Sequence, residues 1–189
     1  FRIQDYEAYA TLETLAKEMK TSYYNRYENP TGMYFESGST IILFVGDTQS
    51  EPVSLRICDF ENRTDELYAL KNGYNKITIK NNGLGYIHFY TDNYKNTNPV
   101  KIHVLGGMVN GDFDKNKHKT EDWLSTLDRT VYNYIDIKGD YINLCYTVDD
   151  LKKYCSDGIA LINYYDKVVE LEYDLMGLYK YNRVPKNHM

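Results

Sequence analysis

The first candidates for metal binding or acid–base chemistry in this chain are its four histidines: His88, His103, His118 and His188. A catalytic zinc site on a helix needs two histidines on one face and a nearby glutamate, in the pattern H-E-x-x-H. No histidine here belongs to that pattern, to an H-x-H pair or to a pair four residues apart. His88 and His103 lie in apolar, strand-like runs, where an isolated histidine is usually structural or surface-facing. We therefore predict no catalytic residue and no metal ligand among the histidines.

An acidic loop, Asp112-Phe113-Asp114-Lys115-Asn116, places carboxylate and amide oxygens at alternating positions, as the first half of a calcium loop does. The sixth position of such a loop should be glycine, but it is Lys117 here. The twelfth should be a bidentate glutamate, but it is Trp123. We therefore expect a polar loop leading into a helix rather than a calcium site.

Two further patterns fail on spacing or context. Gly83-Leu84-Gly85 lacks the third glycine of a dinucleotide-binding turn and precedes a predicted strand rather than a helix. Asp149-Asp150 has the paired carboxylates of an acid–base site, but helix capping explains both residues more simply. The three cysteines fit no zinc pattern, and no serine lies in G-x-S-x-G. The chain carries no complete catalytic constellation, and we expect it to catalyse nothing by itself.

Tyrosine is unusually abundant, with 21 residues against 6 phenylalanines and 1 tryptophan. A tyrosine ring combines a large apolar face with a polar tip, which suits wet binding surfaces as well as half-buried positions. The rings therefore form either a surface for stacking on sugars or peptides, or the partly buried faces of strands and helices. Under the first alternative, the candidate ligand-surface residues are Tyr23, Tyr24, Tyr27, Tyr86 and Tyr90.

The overall composition narrows the class of partner. With 42% hydrophobic residues among 189, the chain can bury a substantial core, and its net charge of −5 excludes the basic excess that nucleic acid requires. No apolar run approaches the roughly 18 residues that span a bilayer, so we expect no membrane-spanning segment. The chain begins at Phe1 rather than methionine, and we expect that it has been trimmed, either by export processing that removed a signal or lipoprotein segment or by being cut from a longer polypeptide.

The elements that must position these residues follow from hydrophobic periodicity. Residues 5–19 have apolar side chains at helical spacing, which predicts a short amphipathic helix followed by a tyrosine-rich connector. From Gly32 to Leu105 the period changes to two, which predicts short strands separated by turns. These strands are Ser39–Val45, Val53–Phe60, Asn75–Lys80, Tyr86–Tyr90 and Val100–Leu105. Their spacing predicts an antiparallel β-sandwich that is jelly-roll-like.

After Gly106-Gly107 the pattern becomes mainly helical. The expected elements are a helix capped by Thr120, a hairpin over 132–137 and 141–146, a short helix opened by Thr147, and a long helix over 157–181 stopped by Val184-Pro185. We therefore predict an α+β chain in three parts. These are a helix and connector over 1–28, a β-sandwich over 29–105, and a mainly helical region with one β-hairpin over 106–189.

Ten short segments of the chain do not identify a protein family one by one, but their order along the sequence does. The segments are Asn29–Gly38, Ile41–Asp47, Pro52–Arg56, Leu70–Ile77, Pro99–His103, Gly107–Asp114, Glu121–Trp123, Asp136–Gly139, Val148–Leu151 and Leu175–Leu178. Together they resemble the N-terminal module and the start of the peptidase domain of enhancin-like zinc metallopeptidases, peptidase family M60. The resemblance covers nearly the whole chain from residue 29.

The resemblance implies a bacterial protein, secreted or attached to the cell surface and often of gut Bacteroides type, that acts on host glycoproteins such as mucins. In this family an N-terminal sandwich precedes a catalytic domain with a zinc-binding H-E-x-x-H helix and a downstream glutamate ligand. This chain contains no H-E-x-x-H. The resemblance therefore implies that zinc belongs to a catalytic part further along the parent polypeptide, and that 106–189 is the incomplete opening of the peptidase domain. No zinc ligand is carried over onto this chain, His188 included.

Two functions from different classes agree with these observations. The first is the non-catalytic N-terminal portion of a glycoprotein-degrading metallopeptidase, which supports or orients the catalytic domain and has the remainder of the parent peptidase as its partner. The second is a stand-alone glycan-binding or adhesive β-sandwich, which would bind host glycans through exposed tyrosines. A purely structural spacer is a third alternative that no residue pattern excludes.

Overall fold

The computed structural model describes residues 1–21 and 27–189. These residues divide into two compact units, the first made of residues 1–11 and 27–110 and the second of residues 12–21 and 111–189. In this division the first eleven residues belong with the sandwich, and the helix that follows them belongs with the second unit. No helix among the described residues combines the length and the apolar character that crossing a membrane requires.

The first unit is built from two antiparallel sheets. Its strands are β1 (Arg2–Tyr6), β2 (Pro30–Phe35), β3 (Thr40–Val45), β4 (Val53–Asp59), β5 (Thr64–Leu70), β6 (Gly73–Thr78), β7 (Gly83–His88), β8 (Val100–Leu105) and β9 (Met108–Val109). One sheet has the strand order β1-β8-β3-β6, and the other has the order β5-β4-β7-β2-β9. Every pair of neighbouring strands in these two sheets is antiparallel. The predicted N-terminal sandwich is confirmed.

Alternating side chains of the strands fill the interior of the first unit. On β3, Ile41, Leu43 and Val45 are buried, while the residues between them are half-buried or exposed. On the neighbouring strand β8, Val104 lies opposite Leu43 and Ile102 opposite Val45, so both strands turn the same set of apolar side chains inward. In the other sheet, β4 and β7 are buried along nearly their whole length because each has strands on both sides.

Two adjacent glycines carry the chain from one sheet to the other. Gly106 and Gly107 lie between β8 and β9 and have positive φ angles of 96° and 74°. A Cβ atom on Gly106 would lie 3.1 Å from the Ile41 side chain, and one on Gly107 would lie 2.8 Å from the Phe35 ring. Glycine tolerates both the left-handed backbone and this close approach, so the pair fixes the crossing between the sheets.

The prediction for the N-terminus is partly wrong. Residues 2–6 form β1 at the edge of the four-stranded sheet, although the apolar spacing predicted a helix from residue 5. Only Leu12–Met19 is helical (α1). The five predicted strands are present as β3, β4, β6, β7 and β8, but β1, β2, β5 and β9 of this unit were not predicted. These four strands form because they pair with neighbours distant in sequence or across a hairpin, and such pairing overrides local propensity.

The second unit is an α+β arrangement around one core. Besides α1, its elements are β10 (Asp112–Asp114), α2 (Trp123–Arg129), β11 (Tyr134–Lys138), β12 (Asn143–Thr147), α3 (Val148–Tyr154) and α4 (Gly158–Leu175). β11 and β12 form the predicted hairpin, and β10 runs parallel to β11. Phe113, Trp123 and Ile162 are fully buried in the core. Thr120 does not cap α2, because it lies inside a single 3-10 turn that precedes the helix.

Helix α4 is bounded by local hydrogen bonds at both ends. At its start, the Asp157 side chain accepts a hydrogen bond of 3.0 Å from the backbone of the first turn. At its end, Gly177 has a φ of 71°, and the Leu178 N–H donates to the Tyr173 carbonyl at 2.9 Å. The helix therefore ends at Leu175 rather than near the predicted residue 181, because the left-handed glycine terminates it before the proline can.

Candidate functional site

A small cavity lies at the end of the β4–β5 hairpin in the first unit. Its volume is about 200 Å³, and aromatic and charged side chains line it. The main lining side chains are Tyr27, Arg56, Phe60, Arg63, Thr64 and Asp65. Five of these six belong to the hairpin, in which β4 and β5 pair from Asp59 opposite Thr64.

Arg56 is a charged residue fixed within the wall of this cavity. It is only 8% exposed. Its Nε and Nη2 atoms donate to Asp65 Oδ2 at 2.6 and 2.5 Å, and its guanidinium lies 5.3 Å from the centroid of the Tyr27 ring. Burial lowers the pKa of Arg56, but neighbouring Cys58 and the hydrogen-bonded Asp65 raise it more, so the pKa is raised and the guanidinium stays charged.

Two of the five candidate tyrosines, Tyr27 and Tyr86, belong to the aromatic cluster beside Arg56. The Tyr27 ring centroid lies 5.6 Å from that of Phe60 and 5.5 Å from that of Tyr86. Tyr27 and Phe60 are half-buried, whereas Tyr86 is 1% exposed. Tyr86 therefore supports the cluster from inside, and Tyr27 and Phe60 are the rings with surface left for a ligand. The candidates Tyr23 and Tyr24 lie outside the described residues.

The loop between β4 and β5 is shaped by Asp59. Its carboxylate accepts hydrogen bonds from the backbone N–H groups of Glu61 and Asn62 at 3.1 and 3.0 Å, and from Asn62 Nδ2 at 2.8 Å. Arg63 then adopts a left-handed backbone with φ of 55°, which costs an L-residue about 1 kcal/mol. The exposed Arg63 guanidinium has no ion-pair partner within residues 1–21 and 27–189.

Tyr90 belongs to a separate buried cluster in the first unit. It is 8% exposed, its hydroxyl accepts the Glu28 N–H at 3.3 Å, and its ring meets the His88 ring edge-on at 4.5 Å. Tyr9 lies beside it, and burial together with the charge of Glu28 raises the pKa of Tyr9 well above its usual range. These contacts leave Tyr90 little ring surface for a ligand.

The histidines do not converge on a metal site. His88 packs on Tyr90, His118 stacks on Phe113 at 5.3 Å, and His188 is buried with 8% exposed. In the part of the chain that the structure describes, no group of three or more His, Cys, Asp or Glu side chains is placed to hold a metal ion. The described residues therefore bring together no ligand set for zinc, a metal that the family resemblance assigns to a different part of the parent polypeptide.

A lysine occupies the carboxylate cluster beside the acidic loop of the second unit. Lys115 Nζ lies 2.6 Å from Asp140 Oδ2 and 2.7 Å from Asp166 Oδ2. Asp166 is 5% exposed and also accepts the backbone N–H groups of Asp140 at 3.0 Å and Tyr141 at 2.8 Å. The hydrogen bond from Lys115 holds the pKa of Asp140 below its usual range. The Lys115 ammonium group thus supplies the positive charge that balances the Asp140 and Asp166 carboxylates.

Helix α4 has large apolar side chains on two opposite faces. Its buried face consists of Gly158, Ile162, Asp166, Val169 and Tyr173. The outer stripe consists of Tyr164, Val168, Leu171 and Leu175, which are 68%, 37%, 57% and 89% exposed. At about 100° per residue, the outer stripe covers roughly 60° of the helix surface on the side opposite the buried face. A helix that is apolar on both faces is typical of packing between two layers.

Sequence reasoning missed Arg56, Phe60, Arg63 and Asp65 as site residues. One available signal was Arg56, a charged residue inside the apolar strand Val53–Asp59, because a buried charge requires a partner. The partner is Asp65, which the unpredicted strand β5 places beside it. No residue pattern marked Phe60 or Arg63.

The described residues thus form an antiparallel sandwich followed by an α+β unit. Residues 7–104 match the N-terminal domain of M60-like peptidases, and residues 111–189 match peptidase M60, enhancin and enhancin-like. The chain therefore belongs to the M60-like peptidases, as its ordered segments indicated.

Solved structures of metallopeptidases share this fold. A metallopeptidase in complex with Tn antigen is 29% identical, with a TM-score of 0.90 over 100% of this chain and 38% of that one. A metallopeptidase from Bacteroides thetaiotaomicron is 29% identical, with a TM-score of 0.89 over 100% of this chain and 34% of that one. The M60 catalytic domain of ZmpC from Clostridium perfringens, in complex with the sialyl T antigen, has the same fold at 15% identity, with a TM-score of 0.77 over 92% of this chain and 40% of that one.

These matches cover 92% to 100% of this chain but a much smaller part of each relative. The chain spans 34% to 40% of the length of these three structures. No curated protein matches it.

Proposed function

We propose that this chain is the non-catalytic N-terminal portion of a zinc metallopeptidase, in which the sandwich and the opening of the peptidase domain support the rest of the catalytic domain. Membership of the M60-like peptidases and the partial coverage of metallopeptidase structures support this proposal. The single observation that carries it is the outer stripe of α4, which faces solvent in this chain.

Four large apolar side chains on one helix face are unfavourable in water. Burying one Leu or Val side chain contributes about 1.5–3 kcal/mol, so a second layer over the outer stripe would contribute several kcal/mol. The helix lies in the region that matches the peptidase family. We infer that the covering layer is the remainder of the peptidase domain, carried by the same parent polypeptide.

Zinc chemistry belongs, on this proposal, to that remainder. The family resemblance assigns the metal to an H-E-x-x-H helix, a pattern that this chain does not contain. The residues described here would act by packing and orientation: the sandwich supports the domain, and α4 presents an apolar face to it.

The parent enzyme is proposed to cleave host glycoproteins of the mucin type. This substrate class is suggested by the relative solved in complex with Tn antigen, which is 29% identical to this chain. Such a substrate lies outside the bacterial cell, so we also propose a secreted or cell-surface protein of a gut bacterium, in keeping with the relative from Bacteroides thetaiotaomicron.

The test compares this chain with the longer product of the parent reading frame that contains it. We expect the chain alone to retain no stoichiometric zinc and to leave a mucin-type glycoprotein intact. The longer polypeptide is expected to retain zinc, measured by elemental analysis, and to cleave the glycoprotein. Degradation of the glycoprotein by the isolated chain would refute the non-catalytic role.

A second experiment tests the outer stripe directly with Leu171→Glu combined with Leu175→Glu. In the isolated chain we expect the melting temperature to stay within about 2 °C and the binding of an apolar dye to fall, because both side chains are exposed. In the longer polypeptide the same pair should lower the melting temperature and the activity. The matched Leu171→Gln and Leu175→Gln pair separates lost apolar surface from added charge. Unchanged stability of the longer polypeptide in both pairs would contradict the proposed packing.

A further inference from the structure

The cavity at the β4–β5 hairpin of the first unit has a lining that combines groups suited to one class of ligand. Tyr27 and Phe60 supply apolar ring surface, and Arg63, Thr64 and Asp65 supply polar atoms. The cavity measures about 200 Å³. Pockets for drug-sized molecules are roughly 300–1,000 Å³, so a ligand about one ring in size fits here.

The charges that line the cavity cancel. Two arginines, Arg56 and Arg63, stand against two aspartates, Asp59 and Asp65. Arg56 is neutralised by its ion pair with Asp65, and the Asp59 carboxylate is engaged by three hydrogen bonds from the hairpin loop. A strongly anionic or cationic ligand would meet a repulsive charge beside each attractive one. The cavity therefore favours a neutral ligand.

Three polar groups of the cavity remain open to such a ligand. Asp65 uses its Oδ2 atom for Arg56, and within residues 1–21 and 27–189 no side chain or backbone group engages Asp65 Oδ1, the Thr64 hydroxyl or the Arg63 guanidinium. This set contains acceptors and donors. A sugar ring carries hydroxyls that both donate and accept, together with a C–H face that packs on aromatic rings. We propose that the cavity binds a neutral sugar ring of a glycan.

The backbone of Arg63 agrees with a functional position. Its φ of 55° is left-handed, a conformation that glycine adopts without the strain of an L-residue. Strained residues persist mainly where the surrounding structure needs their side chain or conformation. Glycine at position 63 would relieve the strain, but it would not supply the cationic hydrogen-bond donor that the Arg63 side chain brings to the cavity.

The test measures the binding of free sugars to the whole chain, monitored by saturation-transfer and titration NMR. Galactose and N-acetylgalactosamine are the neutral probes, and N-acetylneuraminic acid is the acidic probe. We expect the neutral probes to bind, and Phe60→Ala and Arg63→Gly each to weaken their binding about tenfold. The matched control is Ser50→Gly, which replaces another exposed left-handed residue, with φ of 65°, in a loop that does not line the cavity.

Arg63→Gly distinguishes a lost ligand contact from lost folding. It relieves backbone strain, so the melting temperature should hold or rise while sugar binding weakens. Unchanged binding in both cavity variants, no binding of either neutral probe, or preference for N-acetylneuraminic acid would each overturn the proposal. The measurement needs neither zinc nor proteolysis, so its failure would be distinct from failure of the peptidase proposal.

Discussion

Replacing Asp166 by alanine should be among the most damaging single polar substitutions in the second unit. The Asp166 carboxylate is 5% exposed and accepts three hydrogen bonds: from Lys115 Nζ at 2.7 Å, from the Asp140 N–H at 3.0 Å and from the Tyr141 N–H at 2.8 Å. Alanine removes all three acceptor contacts. Lys115 keeps its ion pair with Asp140, but the two backbone N–H groups lose their partner.

The size of the effect follows from these contacts. A buried donor without a partner costs about 1–3 kcal/mol, and removing one member of a buried ion pair costs about 3–5 kcal/mol. Because Lys115 retains Asp140, we expect Asp166→Ala to lower the free energy of unfolding by about 3 kcal/mol. Asp166→Asn keeps one amide oxygen as an acceptor and should lose about half as much.

Urea unfolding followed by tryptophan fluorescence provides the assay. The chain has 1 tryptophan, and Trp123 is fully buried in the core of the second unit, so its emission reports on that unit. With an m-value of about 1–3 kcal/mol/M, the midpoint should fall by at least about 1 M for Asp166→Ala.

A matched carboxylate on the same helix provides the control. Asp174 is exposed near the C-terminal end of α4, where a negative charge is slightly unfavourable, so Asp174→Ala should change stability by less than about 0.5 kcal/mol. A loss below about 1 kcal/mol for Asp166→Ala would refute the reasoning, because it would mean that water or backbone movement replaces all three contacts.

Two further predictions concern the same unit. Gly158→Ala places a Cβ atom against the Trp123 ring. Because this overpacks the core, we expect the free energy of unfolding to fall by about 1–3 kcal/mol and the tryptophan emission to shift. Unchanged urea unfolding would contradict this contact. Lys115→Met removes the hydrogen bond that lowers the pKa of Asp140, so that pKa should return towards the ordinary value of 3.8 in an NMR titration. A lowered folded-state pKa adds stability above 3.8 that is lost as the pH falls through the folded value. The acid sensitivity from Asp140 should therefore decrease in Lys115→Met, in which Asn116 and His188 still lower the pKa, and an unshifted Asp140 titration would exclude Lys115 as the main cause.

The sequence predicted the elements that local patterns define, such as alternating apolar residues, turn residues and helix caps. The clean alternation in β3 and β8, the hairpin of β11 and β12, and the start of α4 at Asp157 are all present. The edge strand β1 was missed because its pairing with β8, nearly one hundred residues away, is invisible to local periodicity. Helix α4 ends before the predicted residue because the left-handed Gly177 terminates it ahead of Pro185.

The cavity was harder to predict because its lining residues come together only through the pairing of strands β4 and β5. Arg56 and Asp65 meet across the β4–β5 hairpin, and the second strand of that hairpin was not predicted. Abundant tyrosine pointed to aromatic surface, but composition does not separate the half-buried Tyr27 from the buried Tyr86, only 5.5 Å away. The burial of each ring depends on the fold, so the sequence positions of the tyrosines alone do not show which of them line the site.

Helix α4 has two apolar faces. Its buried face, which includes Ile162, Val169 and Tyr173, is the kind of apolar stripe that the helical spacing over 157–181 predicts, and one core is enough to bury it. Only the structure shows that the opposite face, with Leu171 and Leu175, is apolar and exposed at the same time. A helix that still has an apolar face after one core is complete is typical of an element packed between two layers, and this supports the proposal that α4 meets the rest of the peptidase domain.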